Sequence, residues 1–297
     1  MSDDCLVSII IPVYNDPDGI ETTLSSLRDQ TLSEDAFEII VVDNGSSDAT
    51  RAVARDQLAE VDNGDVVDER EIQSSYAARN TGIERSSGEI LAFLDADMSV
   101  PATWLAELIA AFERTDADYL GCRVQLYCPL SEPTLVGKHD RAFGFPVEFY
   151  LETQNFVPTC CLAVTRAVVA DIGPFDPRLT SSGDLEFGQR VAQAGYDQHF
   201  ASDLVVFHPT RTTFAEYTKK RLRVGAGQEQ LAHLPDATAV SRPWYHPKNV
   251  LPPHPGNFRR RLSRPVSGRN LVLFYLLSYV GKLSIFAGRL RWKLKGP

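Results

Sequence analysis

Short apolar runs alternate with amphipathic segments along the first hundred residues, which is the pattern of a parallel sheet covered by helices. Strands are expected at three of the apolar runs: 7–13, 37–42 and 89–94. Helices are expected where apolar residues recur at helical spacing: 19–30, 49–59 and 74–83. The alternation predicts an α/β fold with a mostly parallel sheet.

Polar side chains gather directly after each of these predicted strands. The three clusters are residues 14–16, 43–48 and 95–97. Open α/β sheets bind their ligands beyond the carboxyl ends of the strands. Three clusters at three strand ends therefore predict one ligand site at that edge of the sheet.

Asp95 and Asp97 are separated by one residue at the end of the third predicted strand. In extended backbone, residues i and i+2 share a face, so both carboxylates can point at one divalent cation and its bridged phosphates. The Asp-X-Asp pattern alone is weak evidence, because it also occurs in solvated turns of acidic proteins. Its position among the other polar clusters favours the metal interpretation.

The composition is that of a globular protein, since 43% of the 297 residues are hydrophobic, enough for one large domain or two modest ones. The formal net charge is −9, yet residues 256–297 contain ten basic residues and no acidic one. The negative charge is therefore concentrated in residues 1–255, the body of the protein, and a body this acidic argues against a nucleic acid partner. The basic tail is suited to an anionic membrane surface.

Five cysteines without a Cys-x-x-Cys pair indicate reduced thiols in a cytoplasmic protein. The first residues are acidic and lead into a strand pattern, without the basic segment and apolar region of a secretory signal. We therefore expect the body of the protein in the cytoplasm.

The common nucleotide-binding signatures are missing from the sequence. No Gly-x-Gly-x-x-Gly turn follows the first predicted strand, and no Gly-Lys-Ser/Thr phosphate loop occurs. A Rossmann dehydrogenase and a P-loop NTPase are therefore disfavoured. A nucleotidyltransferase would carry a Gly-rich basic loop after the first strand, which residues 12–16 are not.

Four segments, in order, resemble those of family 2 inverting glycosyltransferases. They are VSIIIPVYN at 7–15, EIIVVDNGS at 38–46, ARNTG at 78–82 and FLDAD at 93–97. The similarity continues to about Arg223 and is greatest to bacterial and archaeal members that act on lipid-linked or surface glycans. It implies the GT-A fold, a Rossmann-like, mostly parallel sheet flanked by helices.

The resemblance implies three consecutive parts of the chain. Residues 1–100 would form the half of the GT-A domain that binds the nucleotide-sugar, and 101–228 the half that binds the acceptor and performs catalysis. Residues 229–297 would be a Pro-rich linker and a basic, apolar helical tail.

The resemblance also implies a set of donor-binding residues. They are Pro12, Tyr14, Asp43, Asn44, Arg79 and Asp95. Tyr14 would stack on the nucleobase, and Asp95 would contact the ribose. Asn44 stands where many relatives have an Asp that accepts the uracil N3 proton, so this weaker amide acceptor leaves the base open, with UDP favoured. A solvated helix residue is the alternative for Arg79.

Asp97 is the metal ligand that the resemblance implies, with Mg²⁺ or Mn²⁺ as the ion. His208 ends a predicted strand where several relatives supply a further ligand, although a strand-end His is also often structural. Arg221 and Arg223 lie in a basic, glycine-containing segment, 219–227. This segment suits either a mobile loop that contacts phosphates or a solvated basic helix face.

Asp184 is the general base that the resemblance implies, at the start of an acidic, amphipathic stretch. In the family a Glu often precedes this Asp, whereas this chain has Gly183. Asp184 would also serve as a helix N-cap at this place, and the two roles are compatible.

The C-terminal tail contains the apolar run 271–287, which is 17 residues long and interrupted by Lys282. A helix that spans a bilayer needs about 20 apolar residues. Basic residues flank both ends of the run, so an in-plane helix at the cytoplasmic leaflet is favoured. A short tilted span and a helix packed on the enzyme remain open.

The sequence thus predicts a metal-dependent inverting glycosyltransferase. It would move a sugar from a nucleotide-sugar to a hydroxyl of a lipid-linked glycan, in the assembly of cell-surface polysaccharide or glycoprotein glycans. The predicted location is the cytoplasmic face of the cell membrane, with peripheral or C-terminal attachment. The alternative is a non-catalytic nucleotide-sugar or glycan-binding module with the same fold, kept open by Asn44 and Gly183.

Overall fold

A computed structural model describes residues 5–59, 61–234 and 242–295. The chain forms two compact units that interleave in sequence. The first unit comprises Met1–Val124, Val147–Arg178 and Gly183–His208. The second unit comprises Gln125–Pro146, Leu179–Ser182 and Pro209–Pro297. Neither predicted boundary, at 100 or at 228, coincides with a division between these units.

Seven strands form one mixed sheet. In chain order they are β1 Val7–Val13, β2 Phe37–Asp43, β3 Gly64–Asp68, β4 Ile90–Phe93, β5 Tyr119–Tyr127, β6 Leu162–Thr165 and β7 Gln198–Pro209. Their order across the sheet is β3-β2-β1-β4-β6-β5-β7. The pairs β1–β2, β1–β4 and β2–β3 are parallel, whereas β6 runs antiparallel to β4 and β5. The predicted mostly parallel sheet is confirmed.

The first unit contains seven α-helices among its described residues. They are α1 Pro17–Arg28, α2 Thr50–Leu58, α3 Ser75–Arg85, α4 Trp104–Thr115, α6 Val147–Gln154, α7 Arg166–Ile172 and α8 Gly183–Ala194. The described part of the second unit contains α5 Leu135–Phe143, α9 Phe214–Leu231, α10 Pro255–Arg260 and α11 Gly268–Lys295. Short 3₁₀ helices lie at Glu34–Ala36, Thr159–Cys161 and Pro247–Asn249.

Strand β1 lies in the middle of the parallel part of the sheet and is the centre of the core. Its residues 7–11 are fully buried, because helices cover both faces of a parallel sheet. Such strands have continuous β-branched runs, which is why β1, β2 and β4 were predictable to within a residue or so. Trp104 and the thiols of Cys122, Cys160 and Cys161 also lie in the core, whereas Cys5 and Cys128 are partly exposed.

Helices α9 and α11 of the second unit pack at close range through glycines. A Cβ atom on Gly225 would lie 2.0 Å from the Ile285 carbonyl oxygen, and one on Gly288 would lie 2.1 Å from that of Leu222. A buried ion pair joins the same helices, since Arg289 Nε lies 2.8 Å from Glu229 Oε2. The segment 219–227 is therefore helical, and the alternative of a mobile loop is wrong.

Helix α11 is longer than the apolar run that predicted it. It is long and apolar enough to cross a membrane over Gly268–Leu294. Phe274 and Leu277 are buried on its inner face. On its outer face Val272 is 60% exposed and Leu276 is 52% exposed. The helix thus packs on its own unit and also presents an apolar face outward.

Candidate active site

The loop after β1 carries Tyr14, whose ring is 51% exposed at the carboxyl edge of the sheet. The next residue, Asn15, has a left-handed backbone with φ of 50°. Its side-chain oxygen accepts a hydrogen bond from the Ser47 N–H (2.9 Å), and its own N–H donates to Ser46 Oγ (2.9 Å). The loops after β1 and β2 are thereby tied together, with Tyr14 and the partly exposed Pro12 beside them.

The end of β2 places two neighbouring polar residues in different roles. The Asn44 amide donates to the carbonyl oxygens of Glu69 and Ile72, and its oxygen accepts from Gln73 Nε2 at 3.2 Å. Asn44 is 4% exposed, so its amide is used to hold residues 69–73. Asp43 accepts from the Ser46 N–H, while its Oδ2 has no partner among the described residues.

Arg79 is buried beneath the site, at 3% exposure, on helix α3. Its Nη2 lies 2.6 Å from Asp95 Oδ1, and its Nη1 donates to the Ser75 carbonyl at 3.2 Å. The alternative of a solvated helix residue is therefore wrong. The buried guanidinium holds the Asp95 carboxylate, which is itself 39% exposed at the end of β4.

Asp97 and His208 form the candidate metal pair, with His208 Nε2 4.0 Å from Asp97 Oδ1. Burial raises the pKa of Asp97, His208 lowers it, and the nearby carboxylates of Asp95 and Asp16 raise it. Across 5–59, 61–234 and 242–295, no three His, Cys, Asp or Glu side chains gather that could hold a metal by themselves. A carboxylate and an imidazole beside further negative charge suit a divalent cation whose remaining ligands are phosphates or water.

Asp184 lies in the first turn of α8 and is partly exposed. It is the second residue of the helix, not its N-cap, and its Oδ1 accepts from the Leu185 N–H at 3.0 Å. Burial raises the pKa of Asp184, the Leu185 hydrogen bond and Arg79 lower it, and Asp95 raises it. The carboxylate is therefore a stronger base than an exposed Asp, and its pKa responds to the charges of Arg79 and Asp95.

Tyr76 is a site residue that the sequence analysis missed. Its hydroxyl lies 3.5 Å from Asp184 Oδ1 and accepts hydrogen bonds from the N–H groups of Gly183 (2.9 Å) and Asp184 (3.4 Å). The ring is 5% exposed and lies against the bare face of Gly183. The available signal was Gly183, because a residue without a side chain leaves room for another side chain to pack against it.

Arg221 and Arg223 belong to the second unit and lie on α9. Arg221 is partly exposed, with its guanidinium carbon 5.0 Å from the centre of the Tyr217 ring, and Arg223 is exposed. Contact with phosphates stays a prediction for both. The other predicted site residues all belong to the first unit, at or near the carboxyl ends of its strands.

Comparison with known sequences gives a consistent result. The family model for glycosyl transferase family 2 matches residues 8–172. Glycosyltransferase AglE of Haloferax volcanii is 37% identical over 296 residues, which cover 97% of this chain and 96% of AglE. The pre-mycofactocin glycosyltransferase of Mycobacterium tuberculosis is 26% identical over 246 residues, covering 78% of this chain and 49% of that protein.

Comparison with solved structures shows the same fold. The mannosyltransferase PcManGT of Pyrobaculum calidifontis, solved with GDP-Man and Mn²⁺, has a TM-score of 0.58 at 17% identity and covers 98% of this chain and 76% of its own. TarS residues 1–349 of S. aureus, solved with UDP-GlcNAc, has a TM-score of 0.57 at 19% identity and covers 77% and 67%. The expected GT-A fold is confirmed.

Proposed function

This chain belongs to glycosyl transferase family 2, and we propose that it transfers a sugar with inversion from a nucleotide-sugar to a hydroxyl of a lipid-linked glycan. Family membership makes it a glycosyltransferase rather than a non-catalytic binding module. The proposal includes a UDP-sugar donor, a divalent cation and a place at the cytoplasmic face of the membrane, in glycan assembly.

Three features at the edge of the sheet support a nucleotide-sugar donor. The exposed Tyr14 ring offers a stacking surface for a base. Asp43 is 1% exposed, and its Oδ2 has no partner among the residues that the structure describes, so a ring N–H such as that of uracil would satisfy this buried acceptor. Asp95, held by Arg79, offers a fixed carboxylate for ribose hydroxyls. Because the Asn44 amide is already used, Asp43 is the better candidate for reading the base.

Asp97 and His208 would hold the cation, which when bound would neutralise negative charge on the departing diphosphate. The neighbouring carboxylates of Asp95 and Asp16 add to the negative potential that attracts it. The solved structure of PcManGT contains Mn²⁺ together with GDP-Man. In this chain, the support for a cation is the pair of a carboxylate and an imidazole itself.

Asp184 would take the proton from the acceptor hydroxyl as that oxygen attacks the anomeric carbon. In one displacement the nucleophile and the leaving diphosphate lie on opposite sides of that carbon, so the product is inverted. The raised pKa of Asp184 suits this task, because a general base is most effective when its pKa lies near the working pH.

The observation that carries the proposal is the series of contacts that joins Asp95 to Asp184. Arg79 Nη2 lies 2.6 Å from Asp95 Oδ1, its guanidinium carbon lies 5.8 Å from the centre of the Tyr76 ring, and the Tyr76 hydroxyl lies 3.5 Å from Asp184 Oδ1. These residues come from the loop after β4, from α3 and from α8, and all lie in the first unit. Single-displacement transfer requires a base close to the bound donor, so that the acceptor hydroxyl loses its proton where it attacks.

The second unit supports the membrane and acceptor parts of the proposal. An open apolar groove of about 400 Å³ is lined by Leu135, Phe214, Leu273 and Leu276, among others. Phe214 is 55% exposed, and the exposed face of α11 continues this apolar surface. Arg259–Arg261 precede α11 in the sequence and suit anionic head groups. An apolar surface with basic residues nearby fits a bilayer that also carries a lipid-linked acceptor.

Calorimetric titration of the purified protein with UDP, GDP and dTDP, each with Mn²⁺ and then with excess EDTA, tests the donor and the metal together. Selective binding of UDP that is lost in EDTA is expected. Transfer is then measured by mass spectrometry with the sugars of that nucleotide and lipid-linked acceptors in membranes. Absence of binding by folded protein, or hydrolysis without transfer, would count against the proposal.

A further inference from the structure

Gly183 leaves a space beside the base that the ring of Tyr76 fills. A Cβ atom on Gly183 would lie 2.8 Å from two carbons of that ring. An aromatic side chain from α3 therefore packs against the first residue of α8, next to the base. This contact links two segments more than 100 residues apart in the sequence.

We propose that Tyr76 is the positioning residue for Asp184. The inference rests on the proposed function, because it assigns to Tyr76 the task of orienting the base. It goes beyond that function by naming the side chain that performs this task in this chain.

The hydroxyl of Tyr76 contacts three groups at the start of α8. It accepts from the N–H groups of Gly183 and Asp184, and its proton is directed to Asp184 Oδ1 at 3.5 Å. Burial raises the pKa of Tyr76, so the hydroxyl stays protonated and remains a donor. A long hydrogen bond of this kind shortens in many enzymes when substrates bind.

The same helix also holds the donor side. Arg79 lies one turn after Tyr76, with its guanidinium carbon 5.8 Å from the centre of the Tyr76 ring, and it pairs with Asp95. One face of α3 therefore positions both the base and the donor carboxylate. Residues at i and i+3 of a helix are fixed relative to each other, so α3 sets the spacing between the two.

Loss of the Tyr76 hydroxyl would free the carboxylate to turn and would remove a donor that favours its charged form. The other titratable or charged groups facing Asp184 are Arg79, Asp95 and Tyr119, and these are unchanged in Tyr76→Phe. We expect kcat to fall about tenfold to a hundredfold, since small misplacements of a reacting group have effects of this size. The acidic limb of the pH profile of kcat is expected to move to higher pH.

The test compares Tyr76→Phe with Tyr217→Phe, which also removes the hydroxyl of a buried Tyr bonded to backbone, in the second unit. The expected result is a lower kcat with unchanged affinity for UDP in Tyr76→Phe, and wild-type kinetics in Tyr217→Phe. A wild-type kcat and pH profile in folded Tyr76→Phe would overturn the inference, and so would loss of UDP binding.

Gly183→Ala is a second variant that keeps the hydroxyl and displaces the ring, and Ala is favoured over Gly in a helix. Gly183→Ala should lower kcat as Tyr76→Phe does. It therefore tests the positioning role of Tyr76 even if Tyr76→Phe fails to fold. An Asp184→Asn variant that keeps its turnover would instead contradict the proposed function, so the two failures are distinguishable.

Discussion

Arg79 and Asp95 form an ion pair of 2.6 Å that is closed to solvent on one side only. The guanidinium is 3% exposed, whereas the carboxylate is 39% exposed. The buried guanidinium of Arg79 therefore fixes the direction of the Asp95 carboxylate, which a ligand can reach. A planar guanidinium does this better than an ammonium, because it can bind Asp95 and the Ser75 carbonyl at once.

Replacing Arg79 by Lys should weaken donor binding about tenfold, because an ammonium cannot make both contacts in fixed directions. Calorimetric titration with UDP and Mn²⁺ measures the change. The matched control is Arg85→Lys on the same helix, since Arg85 is 65% exposed and pairs with the exposed Asp65. Exposed pairs of this kind contribute about 1 kcal/mol or less. Equal affinities of the two variants for UDP would contradict the positioning of Asp95 by Arg79.

Replacing Asp184 by Asn should abolish transfer and should also raise the melting temperature at neutral pH. Burial raises the pKa of Asp184, so the folded protein binds this proton more tightly than the unfolded chain. The charged carboxylate therefore opposes folding once the pH exceeds its unfolded pKa, and this cost is complete above the folded pKa. Removing the charge removes the cost. Thermal unfolding at pH 7 together with a transfer assay measures both effects.

Asp176→Asn is the matched control for the stability effect and should have the opposite sign. A hydrogen bond from Arg178 lowers the pKa of Asp176, so its charge stabilises the folded state above the unfolded pKa. That contribution disappears as the pH falls through the folded pKa. The Asn variant should therefore melt below wild type at pH 7. A lower melting temperature for Asp184→Asn as well would show that burial of the Asp184 charge is not destabilising.

The pH dependence of kcat at saturating donor and metal should have its acidic limb above the ordinary Asp pKa of about 3.9. Burial raises the pKa of Asp184, and the carboxylate must be ionised to accept a proton. Turnover at saturating donor and metal should therefore fall on acidification. Steady-state kinetics between about pH 4 and 8 measure this acidic limb, because the range extends upward from the ordinary pKa of Asp. A limb at the ordinary value would remove Asp184 from the role of base.

His208→Gln should weaken the Mn²⁺-dependent binding of UDP. The reason is that the His208 imidazole lies 4.0 Å from Asp97 and would share the cation with it. His199→Gln is the control, since His199 is exposed on the same strand, β7. The measurement is calorimetric titration with and without EDTA. An unchanged Mn²⁺ dependence in His208→Gln would leave His208 with a structural role.

Much of the fold was predictable because buried parallel strands have continuous apolar runs and their ends carry polar clusters. Strand β3 escaped prediction because the edge sequence Gly64–Asp68 is only partly buried and has no such run. The glycines at 225 and 227 suggested a loop from composition. They serve instead as points of close approach, to Ile285 and Ser181, and those partners are distant in sequence.

The gathering of the polar strand-end residues at one edge of the sheet was predictable for the same reason, since topology alone brings them there. The contact between Tyr76 and Asp184 was not, because it joins residues 108 positions apart and depends on a helix start docking against α3. The burial of Arg79 was equally hidden. A charged residue on a helix is predicted to face solvent unless its partner carboxylate, here Asp95, is known to lie beneath the helix.

The outward face of α11 leads to the last prediction, on membrane attachment. Val272 and Leu276 are both more than half exposed, and two Asp substitutions there would place charge against lipid. The double variant should lose binding to vesicles that contain anionic lipid, measured by co-sedimentation. The control is Phe149→Asp, which removes an exposed apolar side chain (51%) from the first unit. Because apolar burial and head-group attraction both contribute to binding by an in-plane helix, raised salt should weaken binding of the wild type in part. A wild-type membrane fraction that resists carbonate extraction would favour a spanning helix over an in-plane one.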